Sequence, residues 1–279
     1  MTRALVFGAG GQLGREICRV LPDAVGLTRA EASVVELASV MDAVGSVAPD
    51  VVFNCAAYNA VDRAEEESDV AFAINASGAL NVAIACEHFR ARLVHFSTNY
   101  VFDGEHDGPY LEADAVHPLG IYARSKAEGE SSVLGALPSA LVIRTAAVYG
   151  ARGSAIKGGS FPERIVLRAR AGDPLTVVAD QMVNPTYALD LAIASVGLAA
   201  GGMEGVVHVV AEGCCSWHEF AVGVLEAYGV AASVSPITTE SRGAAAPRPL
   251  NGCLHSSRVA PLRPWREAVR EWARAAKEA

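Results

Sequence analysis

This sequence has no uninterrupted apolar run of membrane-spanning length. Its most suggestive stretch, "ALDLAIASVGLAAGG", is broken by Asp190 and by glycines. Aromatic residues make up only 6%, and positive charge is short: 23 Lys and Arg face 31 Asp and Glu, a net charge of −8 at pH 7. That balance argues against nucleic acid or an anionic membrane as partner. Nearly all the basic residues are arginine, which reflects genome composition before function. Six cysteines are present: Cys18, Cys55, Cys86, Cys214, Cys215 and Cys253. They show no metal-ligand or redox spacing, and the adjacent Cys214 and Cys215 are badly placed to bridge each other. All six are expected as reduced thiols in a cytoplasmic protein. The first strand is expected from Arg3, leaving no room for a leader peptide. No polar low-complexity tract points to disorder, and no internal repeat is evident.

What is present is a core. Apolar residues are 51% of 279, enough for one well-buried domain and a smaller lobe. Apolar strands alternate with helical patterns, which predicts an α/β fold with a parallel sheet covered on both faces. Expected strands are Ala4–Phe7, a second ending near Leu27, "PDVVFNCAA", "RLVHFS" and "SALVIRTAAVYG". Expected helices cover about Gln12–Val20, "VVELASVMDAVGSV", a long pattern over Glu65–Phe89, and Leu119–Leu134. After Gly150 a Gly-rich loop, "ARGSAIKGGS", changes the character of the chain. Residues 1–150 are expected to form a dinucleotide-binding domain whose sheet is completed by about 175–211. Residues 151–174 and 212–279 are expected to form a small substrate lobe over the sheet's carboxyl edge, where ligands of open α/β sheets sit.

The first strand runs into "GAGGQLG". Its glycines, Gly8, Gly10, Gly11 and Gly14, suit a tight turn, close approach of a pyrophosphate and close helix packing, with a helix N-terminus facing the anion. At the end of the second strand, "GLTRAEAS" places Thr28 and Arg29 where a carboxylate would hold an adenosine ribose. Arg29 could instead pair with a 2′-phosphate, so NADP(H) is the expected cofactor, with NAD(H) as the alternative.

Mid-chain, "GIYARSKAEGE" places Tyr122 and Lys126 about one helical turn apart, on one helix face. Upstream, "LVHFSTNYVF" ends a strand with Ser97 and Thr98. A phenol, an ammonium and a hydroxyl can pass a proton to a carbonyl oxygen. Tyrosine titrates near pKa ~10, so an adjacent Lys126 ammonium is expected to favour its phenolate. Tyr122 would protonate the oxygen, and Thr98 would hydrogen-bond it or the phenol.

At this point the chain resembles the extended short-chain dehydrogenase/reductases, and among them the dTDP-4-dehydrorhamnose reductase family. The matching segments are "GAGGQLG", "PDVVFNCAAYNAVDRAE", "STNYVFDG", "PLGIYARSKAEGE", "RTAAVYG", "DQMVNPT", "SWHEFA" and "RPLNGCL", in order along almost the whole length. The resemblance implies a Rossmann-type doubly wound sheet with a small carboxyl-terminal substrate lobe, NAD(P)H, and a nucleotide-linked 4-keto-6-deoxyhexose as substrate. It implies Tyr122, Lys126 and Thr98 as the catalytic set. It places the cofactor against Gly8, Gly11, Gln12, Leu13, Gly14, Ala56, Ala57, Tyr58 and Ser97, and the substrate near Val61, Asn99 and Tyr100. Some members of the family use Mg²⁺ at a dimer contact. Glu16 stands in such a region, but one carboxylate makes no metal site. A monomer or homodimer is expected.

Four departures stand out. Asn99 replaces the family's Asp. Ala147 replaces a Trp that packs on the sugar. The acid after strand two is missing, and Ser160-Phe161 stands for Asn-Phe. Ala147 therefore suggests a sugar other than the plain one. Asn99 and Tyr100 cannot serve as the acid and base of a dehydratase. A 4-epimerase, which shares the Tyr and Lys, and a non-catalytic binding subunit remain as alternatives. His95 and His208, within apolar strands, read as core histidines. Trp217 and Phe220 read as packing of the small lobe. Arg248, in a Pro-rich loop, reads equally as a ligand for the substrate's phosphates or as a surface arginine.

Overall fold

The computed structural model describes residues 3–150 and 159–278. Most of the glycine-rich segment expected over 151–160 lies outside them. Six strands form one parallel sheet in the order β2-β1-β3-β4-β5-β8: β1 Ala4–Phe7, β2 Val25–Leu27, β3 Val51–Asn54, β4 Arg92–Thr98, β5 Leu141–Thr145 and β8 Gly205–His208. The chain order reverses between β1 and β3, the switch point at which such sheets bind ligands.

Each strand presents alternate residues to opposite faces. Leu5 and Phe7 pack with Val40, Val44, Val82 and Val133, under helices α2 (Leu37–Val47), α5 (Gly78–Phe89) and α6 (Ile121–Ala136). Ala4 and Val6 pack with Ile17 and Leu191, under α1 (Gln12–Val20) and α8 (Ala188–Ala200). The long pattern over Glu65–Phe89 is realised as α4 (Ser68–Phe72), a π turn at Ala73–Ser77, and α5, with a short α3 (Val61–Ala64) just before it. The helical stretch from Ser68 to Phe89 is long and apolar enough to cross a bilayer, its most apolar 18 residues having a mean hydropathy of 1.4. Half of those 18 residues are buried inside the protein, so their apolar character is already used by the core.

The sheet's completion differs from expectation. Leu175–Val178 (β6) does not join it but pairs in parallel with β11 (Val234–Ile237); only the α8–β8 stretch extends the main sheet. The remaining small pairs are β7 (Met182–Val183) with β10 (Cys215–Ser216), and β9 (Ala211–Glu212) with β12 (Leu262–Pro264). Helices α7 (Phe161–Ala171), α9 (Trp217–Tyr228), α10 (Thr239–Arg242) and α11 (Trp265–Glu278) complete this lobe. Its core gathers Tyr149, Ile165, Leu175, Phe220, Trp265 and Trp272. Both α7 and α9 begin with capping boxes, Ser160 with Glu163 and Ser216 with Glu219, which satisfy two otherwise orphaned N–H groups at each end.

One cysteine expectation is corrected. Cys214 and Cys253 form a disulfide, with Cα atoms 6.0 Å apart across 39 residues; Cys18, Cys55, Cys86 and Cys215 remain free thiols. The cause is tertiary: Met182 bridges both to Ser216 and to Asn251, which draws the two cysteine-bearing segments together.

Candidate active site

A cavity of about 330 Å³ opens at the switch point, between the carboxyl ends of β1, β3, β4 and β5 and the small lobe. Gly11, Gln12, Leu13 and Gly14 line it from the first turn. Ala57, Asn59 and Val61 follow β3, and Ser97, Thr98, Asn99 and Tyr100 end β4. Tyr122 and Lys126 reach it from α6. The β1–α1 turn is built around glycine. Gly8 has φ +75°, and a Cβ there would sit 2.7 Å from the Ala56 nitrogen; a Cβ at Gly14 would overlap the Gly8 carbonyl oxygen. Larger side chains would push the turn away from the sheet. Gln12 Oε1, Ser97 Oγ and Thr145 Oγ1 are buried around the cavity with no hydrogen-bond partner among the described residues. A polar ligand would satisfy them, so the turn and its surroundings fit a bound dinucleotide.

The strand end and helix meet at Tyr122. The phenol donates to Asn59 Oδ1 at 3.5 Å, and its ring packs edge-on to Tyr100, with centroids 5.8 Å apart. Burial pushes the phenol up to about 12; the Thr98 hydroxyl beside it acts in the opposite direction. The expected lowering by Lys126 is absent from these influences. Tyr122 is therefore a protonated phenol at neutral pH, the form an acid catalyst requires. The Thr98 hydroxyl donates to Asn99 Oδ1 (3.3 Å) and accepts from the Tyr100 N–H (3.2 Å), which caps a short 3₁₀ turn. Lys126 is 2% exposed and donates to the Phe96 carbonyl at 2.6 Å. Burial draws its ammonium down to about 8.

Several supports had no sequence signal. Asn75, within the π turn, accepts from the Tyr58 N–H (2.8 Å) and donates to the Tyr58 carbonyl (3.1 Å) and to Ser125 Oγ (2.9 Å). It ties α6 to the segment after β3. Asn99 donates to the Gly252 carbonyl at 2.9 Å, joining the triad to the small lobe. Asn59 lay within a matched motif without being singled out. Trp217, read as packing, does pack against Phe161 (centroids 4.8 Å, rings tilted by 60°), but both rings also line the cavity. Arg164 lines it too, donating to the Gly159 carbonyl at 3.0 Å. A tryptophan at helical spacing looks the same in sequence whether it faces a core or a cavity.

Other expected residues lie elsewhere. Arg248 grips Asp62 with both ends of its guanidinium, at 2.9 and 2.8 Å, and does not line the cavity. The Arg248 side chain is only 11% exposed, and it also hydrogen-bonds Tyr100, which lines the cavity. Gly8, Gly10, Ala56 and Tyr58 are not among the lining residues; the Tyr58 phenol turns to Glu67 at 2.5 Å. Arg29 is exposed at the end of β2. Beside it the sequence hid an acid: Glu31 Oε2 accepts from both the Thr28 N–H (2.8 Å) and hydroxyl (2.7 Å). Those bonds hold its carboxyl below the ordinary range. Ala147 lines the cavity with φ +44°, a left-handed backbone rare outside glycine. Glu16 pairs with Arg19 at 3.4 Å, and among the described residues no group of three or more His, Cys, Asp or Glu is placed to hold a metal. His208 is buried, its Nδ1 between the Tyr110 (3.1 Å) and His255 (2.9 Å) carbonyls.

A parallel sheet with a glycine turn at its switch point, and a Thr-Tyr-Lys set at the same edge, define an oxidoreductase of the extended short-chain class. The comparisons narrow this. The family model described as RmlD substrate binding domain matches residues 2–278. The spore coat polysaccharide biosynthesis protein SpsK of Bacillus subtilis (strain 168) is 40% identical, covering 98% of this chain and 97% of that protein. A dTDP-4-dehydrorhamnose reductase of Mycobacterium tuberculosis is 39% identical over 96% of this chain and 91% of its own. The crystal structure of dTDP-4-dehydrorhamnose reductase from Bacillus anthracis in complex with NADP superposes with a TM-score of 0.93 at 32% identity, covering 97% of this chain and 98% of that one. The chain belongs to the dTDP-4-dehydrorhamnose reductase family.

Proposed function

We propose that the protein reduces the 4-keto group of a nucleotide-linked, dTDP-type 4-keto-6-deoxysugar, with NADPH as reductant and Tyr122 as proton donor. The observation that carries this reading is the convergence of a protonated, buried Tyr122 with Thr98, Lys126 and the β1 glycine turn on one cavity. The NADP complex of the Bacillus anthracis relative supports the cofactor. Gly11, Gln12, Leu13, Gly14 and Ser97 would hold the dinucleotide, and when bound it supplies the hydride to the carbonyl carbon. Thr98 orients the sugar oxygen, and Tyr122 transfers its proton to that oxygen as negative charge develops there, leaving an alcohol and a phenolate. Arg164 gives the small-lobe wall a guanidinium suited to the substrate's diphosphate, the role once open to Arg248.

Ala147 favours a second reading of the sugar. A methyl group leaves room that an indole of about 150–250 Å² would fill, while Phe161 and Trp217 already supply aromatic surface. A sugar other than 4-dehydrorhamnose fits that room. The test is consumption of NADPH by the purified protein with a panel of nucleotide 4-ketosugars, dTDP-4-dehydrorhamnose included. Turnover of one of them with release of NADP⁺ is the expected result. Tightly retained NAD with interconversion of C4 epimers would make it an epimerase, and no turnover at all a binding subunit.

A further inference from the structure

Behind the catalytic lysine lies a buried chain of three polar side chains that proton donation by Tyr122 does not itself use. Asn54 is 2% exposed, His95 1% and Lys126 2%. The Ala56 N–H donates to Asn54 Oδ1 at 3.2 Å, which fixes which way the amide points. Asn54 Nδ2 therefore faces His95 Nδ1, at 3.2 Å, and donates to it. A ring nitrogen that accepts carries no proton in a neutral imidazole, so the hydrogen must sit on Nε2. His95 is neutral: burial, and then the charge of Lys126, hold its pKa well below the ordinary value. Its Nε2 lies 3.5 Å from Lys126 Nζ. An N–H aimed at that nitrogen can donate to an amine lone pair. It can only oppose an ammonium.

We propose that His95, held as the Nε2–H tautomer by Asn54, is a positioning residue that favours the neutral amine of Lys126 and so eases release of the lysine's proton during turnover. It rests on the reductase reading for its role in turnover, though not for its geometry. The protons balance. Tyr122 gives one to the sugar oxygen, the phenolate recovers one as Lys126 releases one, the resulting amine accepts the His95 N–H, and water restores the ammonium. His95 itself keeps its proton throughout. The opposite arrangement, an ammonium donating to Nε2, would require Asn54 to turn over and forfeit the Ala56 N–H. The other groups facing Lys126 do not supply this bias. From the end of β3, Cys55 is kept a neutral thiol by burial. From its own helix, Glu130 lies one turn on, but its carboxylate is occupied by Arg144 of β5 at 2.7 Å. Tyr122 is protonated, and the Phe96 carbonyl of β4 accepts from either form of the lysine.

The test reads the isolated protein first. Nitrogen-15 NMR of the His95 ring should show a protonated Nε2 and a bare Nδ1; the reverse tautomer or an imidazolium overturns the proposal. Only Lys126, Lys157 and Lys277 are present, so Lys126 can be followed by side-chain NMR titration. His95→Phe should raise its proton affinity about threefold to tenfold, the equivalent of one hydrogen bond. Asn54→Leu should act in the same direction, and add nothing once His95 is Phe. Where His95→Phe fails to fold, His95→Gln, whose carbonyl can accept from the ammonium, reads the same upward shift. An unchanged Lys126 titration in a folded variant overturns the proposal. In turnover, the basic limb of the kcat profile should move up with Lys126, which a merely structural histidine would not do. Because the first two readings need no substrate, their failure is distinguishable from failure of the reductase assignment.

Discussion

Tyr122 stays a phenol at neutral pH because the charged form would lose its water, and Thr98 only partly offsets that cost. Tyr122→Phe should keep the fold and dinucleotide affinity and lower kcat by about 10²–10⁴-fold, the usual worth of general acid catalysis; near-normal turnover would remove Tyr122 from the mechanism. Beside β2, Arg29 and Glu31 pull in opposite directions on a 2′-phosphate. Glu31→Gln should tighten NADPH severalfold and leave NADH nearly unchanged, whereas Arg29→Asp should weaken NADPH far more than NADH; dissociation constants for both cofactors check this. Ala147→Trp should raise KM for the natural sugar by steric clash without touching cofactor affinity. If the wild type already reduces dTDP-4-dehydrorhamnose with kcat/KM of ~10⁴ M⁻¹s⁻¹ or more, the altered-sugar reading fails. That Tyr122, Lys126 and Thr98 share one cavity was legible because a strand end and one helix face fix where they stand. Glu31 was not, since a side chain folding back onto Thr28 leaves no periodic trace.

Helix α6 carries Tyr122 and Lys126, and a buried ion pair sets it against the sheet. Arg144 of β5 donates from Nε and Nη2 to Glu130 at 3.0 and 2.7 Å, and its guanidinium lies over the Phe102 ring at 5.2 Å. Both partners are nearly inaccessible, at 7% and 6%. Arg144→Leu would strand the Glu130 carboxylate in the interior and should cost about 3–5 kcal/mol in denaturant unfolding, while replacing both partners with apolar residues should cost less than either single change. A double variant as unstable as the sum would show that the pair is not coupled. The helices were readable to within a few residues, because apolar spacing marks both period and face; α6 runs Ile121–Ala136 against an expected Leu119–Leu134. The π turn at Ala73–Ser77 was not, because one extra residue per turn changes no composition. Yet it is this turn that presents Asn75 to Ser125 and Tyr58.

At the scale of the molecule, Asn99 on Gly252 fastens the small lobe to the sheet edge, and one residue on, the Cys214–Cys253 bridge ties two segments of the lobe to each other. Cys253→Ser should lower stability by about 2–4 kcal/mol, and thermal unfolding of the wild type with dithiothreitol should fall to the same point while the variant ignores the reductant. Six reactive thiols in the unreduced, denatured protein would mean that no bridge exists. The parallel sheet, the glycine turn at its switch point, and the placing of Thr98 at a strand end and of Tyr122 and Lys126 one turn apart on a helix were determined by the sequence alone. Each depends on residues close in the chain, whose spacing is set by the geometry of a strand, a turn or a helix. Which strand finishes the sheet, which cysteines meet, where Arg248 finds its partner and which aromatic rings face the cavity were decided only by the tertiary structure. Those contacts join segments 39 to 186 residues apart, and side chains of the same type can satisfy burial and charge equally well in several places until the whole chain is packed.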